Sequence, residues 1–346
     1  MNPSATVKAD LRSDTVTRPT TAMRQAMAEA EVGDALADED PTVNRLQDLA
    51  AALLGTEAAL YVPTGTMANQ LAVRAHALPG TEVLCGARAH VFCYEDAGLA
   101  RNAGVQIRAL HDDQGVITAD QVHHVARARH HHHPSPSLLV LENTHMVANG
   151  RPVPADEMHA LCVAAHDEAM AVHCDGARIW NAAVALGESP AHLTADCDSV
   201  MFCLSKGLGA PIGSLLCGPL DFIEHVKLDR HRMGGGWRQA GIVAAAGIVA
   251  LETMVDRLAD DHHRARAFAD ALAERWPGCV DPSRVHTNIV CADLALLPHD
   301  LLERLAAFDV LADLLDPYTV RFVFHLDVDD DGLAAAIGAL DALSQR

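Results

Sequence analysis

The sequence predicts an α/β protein: a large, mainly parallel sheet covered by helices on both faces, then a small C-terminal α+β unit. Three observations predict it. From Val83 to Cys217, short apolar runs alternate with stretches of helical pattern, as strands joined by crossover helices do. Before them, Ala58–Val62 runs into Pro63-Thr64-Gly65-Thr66 and a helical stretch, Met67–Ala77: strand, tight polar turn, helix. After Pro277-Gly278, the remaining residues read as strands and helices of their own.

Taken in order, residues 1–10 read as a loose leader, and residues 11–19 as a polar arm with Arg12, Ser13, Asp14 and Arg18. Helical pattern covers Thr21–Glu31, and a further helix begins at Asp40-Pro41 and runs through Leu54. Strands are expected at Val83–Cys85, Gln106–Leu110, Leu138–Glu142, Met170–Asp175, Ser199–Leu204 and Ser214–Cys217. Helices fall near Asp120–Arg129, Ala155–Glu168 and Phe222–His231. A long helical region, Gln239–Trp276, reads as broken by the histidine- and acid-rich patch Asp260–His263. The C-terminal unit is expected to hold strands at about Thr287–Ala292 and Val320–Leu326, and helices at about Pro298–Ala307 and Asp331–Leu343. The resulting division is an arm (1–20), a large unit (21–265) and a small unit (266–346).

The chain has 346 residues, half of them apolar, and a formal net charge of −20. Nucleic acid and anionic membranes both need a basic face, so neither is expected as a partner. Its nine cysteines form no Cys-x-x-Cys pair and read as reduced thiols of a cytoplasmic protein. The N-terminus shows no secretory pattern, and the longest apolar run, Gly241–Leu251, is too short to cross a bilayer. His130–His133 precede Pro134-Ser135-Pro136 and read as a solvated loop, not a metal tract. Asp327 to Gly332 begins like a calcium loop, but its twelfth position is Gly338, without an acceptor. Asp330 or Asp331 is read there as a helix cap, and no metal is expected.

The chemistry gathers at strand ends. In open α/β sheets, ligands bind beyond the carboxyl ends of the strands. Gly65-Thr66, Glu142-Asn143-Thr144-His145, Asp175 and Lys206 all follow or end such strands. Lys206 stands between an apolar run and a glycine-rich turn, where a desolvated amine can form a Schiff base with an aldehyde cofactor. Asp175 closes an earlier strand. An aspartate facing a pyridinium nitrogen, followed by a Schiff-base lysine on a later strand, suits pyridoxal phosphate. The first turn of the helix after Thr64 is either a phosphate cradle or a plain N-cap.

The motifs Leu11-Arg12-Ser13-Asp14-Thr15-Val16-Thr17, Asp40-Pro41-Thr42-Val43-Asn44 and Pro63-Thr64-Gly65-Thr66 resemble those of the low-specificity L-threonine aldolases. So do Glu142 to His145, Asp175-Gly176-Ala177-Arg178, Ser205 to Gly209, Gly234 to Gly236 with Arg238 to Gly241, and His325 to Val328. The resemblance implies the fold type I architecture of pyridoxal-phosphate enzymes. It also implies a homotetramer, a dimer of dimers with active sites shared between subunits. By position it makes Lys206 the Schiff-base lysine, Asp175 the partner of the pyridine nitrogen and His90 the residue stacked on the ring. Gly65 and Thr66 would hold the phosphate, with Arg238 from a neighbouring subunit. Ser13, Arg178 and Arg321 would bind the substrate carboxylate, and His145 would lie near its hydroxyl. The implied reaction is retro-aldol cleavage of L-threonine, L-allo-threonine and related β-hydroxy-α-amino acids to glycine and an aldehyde. The base stays open among His145, His90 and a bound water. A fold type I aminotransferase or β-eliminating lyase would share Asp175 and Lys206, and so would a non-catalytic cofactor-binding regulator. Ala37, Met146, His231 and Trp237 depart from the family's usual tyrosine, asparagine, lysine and methionine.

Overall fold

The computed structural model describes residues 7–112, 114–128 and 131–345. β1 (Ala9–Asp10) opens this chain, followed by α1 (Thr21–Ala28), which Thr20 caps by accepting from Met23 N. α2 (Pro41–Leu54) has proline in its first turn, Asp40 as N-cap and Gly55 in left-handed backbone at its end. β2 (Ala58–Val62) leads into α3 (Gly65–His76), capped by Thr64. β3 (Glu82–Gly86), two short helices α4 (His90–Cys93) and α5 (Gly98–Ala103), and β4 (Gln106–Leu110) follow. α6 (Ala119–Arg127) begins with a reciprocal cap between Thr118 and Gln121 and is followed by β5 (Pro136–Glu142). Then come α7 (Ala155–His166), β6 (Ala171–Asp175), α8 (Ile179–Leu186), α9 (Pro190–Leu193), β7 (Ser199–Cys203) and β8 (Ser214–Gly218). Three helices follow: α10 (Leu220–Arg232), α11 (Gly241–Thr253) and α12 (Leu258–Arg275). The last elements are β9 (Ile289–Asp293), α13 (Leu301–Ala306), β10 (Val310–Leu311), β11 (Asp313–Asp316), β12 (Thr319–Val323) and α14 (Asp330–Ser344).

The large sheet has seven strands in the order β2-β8-β7-β6-β5-β3-β4. β3 to β7 run parallel, β8 runs against β7, and β2 against β8, so β2 shares the common direction. Every residue of β3, β7 and β8 is buried, as helices on both faces require. On one face, Leu139, Phe202 and Leu215 meet Leu46 of α2, Trp180 of α8 and Ala244 of α11. On the other, Met201 and Leu216 meet Leu71 of α3 and Val226 of α10. A smaller core surrounds Phe268, Phe322 and Phe324, and it takes in Ala9 and Leu11 from the N-terminal segment. β12 sits between β11 and β9 in an antiparallel sheet. Among the described residues, no helix is long and apolar enough to cross a membrane.

Three expectations change. The leader is not loose where it is described: β1 pairs in parallel with β10, Ala9 against Val310. The long helical region breaks at 254–257 and not at Asp260–His263, which lies inside α12. Its charges are accommodated: Arg257 and Arg264 pair with the buried Asp261 one helical turn away. The last helix is capped by Asp329, which accepts from Gly332 N, and not by Asp330 or Asp331. His131 to His133 form an exposed turn, while Arg129 and His130 lie outside the described residues.

Asp40 joins three segments. Its buried carboxylate accepts hydrogen bonds from four backbone amides: Thr42 and Val43 at the start of α2, Gly33 before it and Gly241 at the start of α11. Replacing it strands buried donors. Asp40→Ala is expected to lower unfolding free energy by about 2–4 kcal/mol in urea titrations. A loss below about 1 kcal/mol would show that the junction is held by apolar packing instead.

Candidate active site

A cavity of about 140 Å³ opens at the carboxyl edge of the large sheet, lined by Gly65, Thr66, Asn69, His90, Asp175 and Lys206, among others. Lys206 follows β7 in a turn whose carbonyl accepts from Gly209 N at 2.9 Å, with Gly209 at φ +78°. Thr17 Oγ1 donates to the same carbonyl at 3.1 Å and ties the N-terminal arm to the turn. The start of α3 forms the opposite wall. Thr64 Oγ1 accepts from Met67 N and the Thr64 carbonyl from Ala68 N. Gly65 and Thr66 carry first-turn amides that have no acceptor within the helix. A Cβ on Gly65 would stand 2.8 Å from Cys203 Sγ and 2.9 Å from Met201 Cε, so only glycine lets the helix end approach β7 this closely.

Asp175 closes β6 and is buried. Its Oδ1 accepts from Ala177 N at 3.1 Å and its Oδ2 from Asn69 Nδ2 at 2.8 Å. His90 starts α4, where its amide donates to Glu142 Oε2 at 2.7 Å and its Nδ1 lies 3.1 Å from Glu95 Oε1. Burial disfavours the charged imidazole, but Glu95, Asp175 and Glu142 outweigh that and the repulsion from Lys206, so its pKa rises. Ligand atoms of His90, Glu95 and Asp175 lie close enough together to hold a metal ion. Asn69 Nδ2 already donates to both carboxylates, which suits a hydrogen-bonded network better than a cation's ligand set.

Beside the cavity lies a second group of charges. Arg178, buried just before α8, makes a two-pronged pair with the buried Asp14: Nε to Oδ2 and Nη2 to Oδ1, both 2.7 Å. Burial would raise the Asp14 pKa, but Arg178, Lys206 and Asn288 hold it well below its ordinary value. Arg321 of β12 donates to Met146 Sδ at 3.2 Å and to the Arg12 carbonyl at 3.0 Å. Its Nε is buried without a hydrogen-bond partner among the described residues. Burial and then the neighbouring Arg178 lower its pKa, the mark of two cations that lack a full complement of negative charge. Ser13 is next in sequence to Arg12, and its Oγ accepts from Thr15 N and Thr15 Oγ1.

The structure therefore brings Lys206, His90, Asp175, Gly65 and Thr66 to one cavity, with Ser13, Arg178 and Arg321 beside it. It does not bring His145 or Arg238 to the wall of that cavity. His145 is buried against a separate, smaller pocket behind β5, lined also by Gly86, Gly115 and Leu161. Its Nε2 lies 3.3 Å from Asp112 Oδ2, a close ionic contact outside hydrogen-bond alignment. Burial opposes a charge there, but Glu142 and Asp112 prevail and the pKa of His145 rises. Arg238 is exposed and pairs with Asp34 at 2.8 Å. Ala37 and His231 are also exposed. Trp237 packs edge-on against Tyr61, and Met146 sits against Arg321 and Val323.

Sequence reasoning did not single out Asn69 or Glu95, and it left Asp14 without a role. A signal existed for Asn69: it falls one helical turn after Gly65, on the buried face of α3 among Ala68, Leu71 and Ala72. A polar side chain in such a stripe needs partners.

The fold defines an α/β protein of fold type I, with a cavity at the carboxyl edge of its mainly parallel sheet, and comparison with known proteins agrees. The sequence model of the beta-eliminating lyase family matches residues 10–296. The chain is 43% identical over 329 residues to the low specificity L-threonine aldolase of Escherichia coli strain K12, covering 94% of this chain and 96% of that one. It is 37% identical to a probable low-specificity L-threonine aldolase 2 of Arabidopsis thaliana, covering 95% of each. Among solved structures, a threonine aldolase from Leishmania major superposes with a TM-score of 0.83 at 15% identity, covering 97% of this chain and 99% of that one. The chain belongs to the beta-eliminating lyase family, among the low-specificity L-threonine aldolases.

Asp14 carries a pH signature. Because its folded pKa lies below the ordinary 3.8, its stabilisation is complete above that value and is lost as pH falls through the folded value. Asp14→Asn is expected to cost about 3–5 kcal/mol at neutral pH, since it leaves Arg178 buried without its counter-charge. The gap to wild type should hold down to about pH 4 and narrow only below it. A gap that closes between pH 7 and 5 in urea titrations would contradict the depressed pKa.

Proposed function

We propose that this chain cleaves L-threonine, L-allo-threonine and related β-hydroxy-α-amino acids to glycine and an aldehyde, with pyridoxal phosphate held on Lys206. The observation that carries this reading is the neighbouring pair Arg178 and Arg321 beside the Lys206 cavity. Arg178 takes the carboxylate of Asp14, and the neighbouring Arg321 keeps a buried donor unused. An amino-acid carboxylate supplies the missing charge and matches the guanidinium fork.

The residues present fit the cofactor. First-turn amides of Gly65 and Thr66 suit its phosphate, buried Asp175 suits its ring nitrogen, and His90 offers an imidazole face. When bound, the group supplies an electron sink for the bond that breaks at Cα. Arg178 and Arg321 fix the substrate by its carboxylate, and so orient the bonds at Cα. Ser13 stands at the same end. Glu95 sits against Nδ1 of His90, so Nε2 is the nitrogen left to exchange a proton. His145, facing Asp112, serves the hydroxyl through a shift of its ring or a bridging water. The active unit is a homo-oligomer. Arg238, exposed on its own chain, holds the phosphate of a neighbour in this reading.

Two measurements test the reading. Borohydride reduction of the loaded protein, followed by peptide mapping, should label Lys206, and aldehyde should be released from threonine, allo-threonine and phenylserine. Label on another lysine, or turnover that needs a keto-acid acceptor and yields no aldehyde, would overturn it. Arg321→Ala should raise KM by about tenfold to a hundredfold, the loss of one charge-assisted contact of about 1.5–3 kcal/mol, while cofactor retention stays as in wild type. Loss of cofactor with unchanged KM would move Arg321 out of the substrate site.

A further inference from the structure

One buried amide in the wall of the cavity joins two carboxylates, that of Asp175 in the same wall and that of Glu95. Asn69 Nδ2 donates to Asp175 Oδ2 at 2.8 Å and to Glu95 Oε1 at 2.9 Å, and so spends both of its hydrogens. Glu95 in turn meets His90 Nδ1 at 3.1 Å. The amide is also held from behind. Its Oδ1 lies 3.1 Å from His173 Nε2, His173 Nδ1 lies 2.8 Å from Ser199 Oγ, and Ser199 Oγ lies 2.8 Å from His76 Nε2. Asn69, His173 and Ser199 are all buried.

The polarity of this chain is forced. Ionised carboxylates only accept, so the Asn69 nitrogen must face them and its oxygen must face His173. His173 Nε2 therefore donates, which leaves Nδ1 to accept from the Ser199 hydroxyl. Ser199 then accepts from His76 Nε2, whose ring stacks on Phe222 at 4.7 Å. A neutral imidazole with one N–H is required at His173. Burial, aided by His76, pushes its pKa down to about 3, which keeps it neutral.

We propose that Asn69 is a positioning residue, locked in one orientation by His173, that holds Asp175 toward the cofactor ring nitrogen and Glu95 toward His90. The inference rests on the reading that the cavity takes pyridoxal phosphate. Without the donor from His173, the Asn69 oxygen is left as a buried acceptor without its partner, and the amide that aims both carboxylates is held from one end only.

The test uses full-length protein stripped of cofactor and titrated with pyridoxal phosphate. It reads the dissociation constant and the visible absorption band of the bound form. Asn69→Leu and His173→Leu should each weaken binding by about tenfold or more and shift the band. His173→Gln, whose amide N–H can stand where the imidazole Nε2 stood, should stay within about threefold of wild type. Val172→Ala, the neighbouring core position on β6, should lower the melting temperature and leave both readouts unchanged. If Asn69→Leu does not fold, Asn69→Ser is read in its place. Unchanged binding and band in a folded Asn69 variant would overturn the proposal. So would a His173→Gln variant as weak as His173→Leu, which would make packing the cause. A wild-type chain that takes up no cofactor would overturn the underlying reading, whereas normal uptake with indifferent variants overturns this inference alone.

Discussion

The buried pair of Asp14 and Arg178 sets the dimensions of the site. Asp14 belongs to a segment whose Leu11 lies in the small core, while Arg178 follows Asp175 at the edge of the large sheet. Asn288, just before β9, adds a third tether by donating to Asp14 Oδ2 at 3.3 Å and to the Phe324 carbonyl at 3.0 Å. One ionic contact thus joins the N-terminal arm, the strand that carries Asp175 and the sheet that carries Arg321. A buried pair of this kind costs desolvation on both sides, and its value lies in geometry more than in net stability. It fixes Arg178 to the arm that Thr17 ties to the Lys206 turn. It also leaves Asp14 no second charge for the neighbouring Arg321, so that positive charge persists there.

The two histidines at the sheet edge show how the same chemistry is used differently by position. His90 and His145 both face carboxylates, and both have raised pKa values. Glu142 lies between them: its Oε2 takes the amide of His90 and stands 3.9 Å from His145 Nε2. Yet His90 opens on the Lys206 cavity, and His145 is closed off by Gly115 and Asp112. Arg88 also acts on Asp112, which holds its pKa down to about 2. The carboxylate opposite His145 therefore stays ionised throughout the neutral range and favours the protonated imidazole.

Much of this was legible in the residues because the strongest signals are local. Buried parallel strands are short apolar runs, and β3 (Glu82–Gly86) and β7 (Ser199–Cys203) fall where those runs do. Caps such as Asp40-Pro41 and Thr64-Gly65 announce helix starts. Lys206 and Asp175 were visible because a charged residue closing an apolar strand has few structural uses. What escaped notice depends on contacts distant in sequence. β1 is two residues long and exists only through its pairing with β10. The patch Asp260–His263 looked like a breaker, because a string of charges gives no hint that Arg257 and Arg264 neutralise the buried member. Asn69 and Glu95 stand far apart in sequence from Asp175, so their convergence belongs to the fold alone.

Met146 shows a departure from the family pattern acting on charge. In the resemblance an asparagine is usual at this position, and its amide oxygen would be a strong acceptor. Here the group that Arg321 Nη1 meets at 3.2 Å is a thioether sulfur, a weak acceptor with little power to neutralise a guanidinium. Burial and the neighbouring Arg178 lower the Arg321 pKa, and Asp14, whose charge opposes that shift, is already committed to Arg178. Arg321 is therefore less satisfied without a ligand than an asparagine neighbour would leave it. A carboxylate that arrives beside it meets a donor that gives up little to turn toward it. The methionine also adds apolar surface, packing with Ile289 and Val323, so the same position that withholds a strong acceptor from the arginine contributes to the core beneath it.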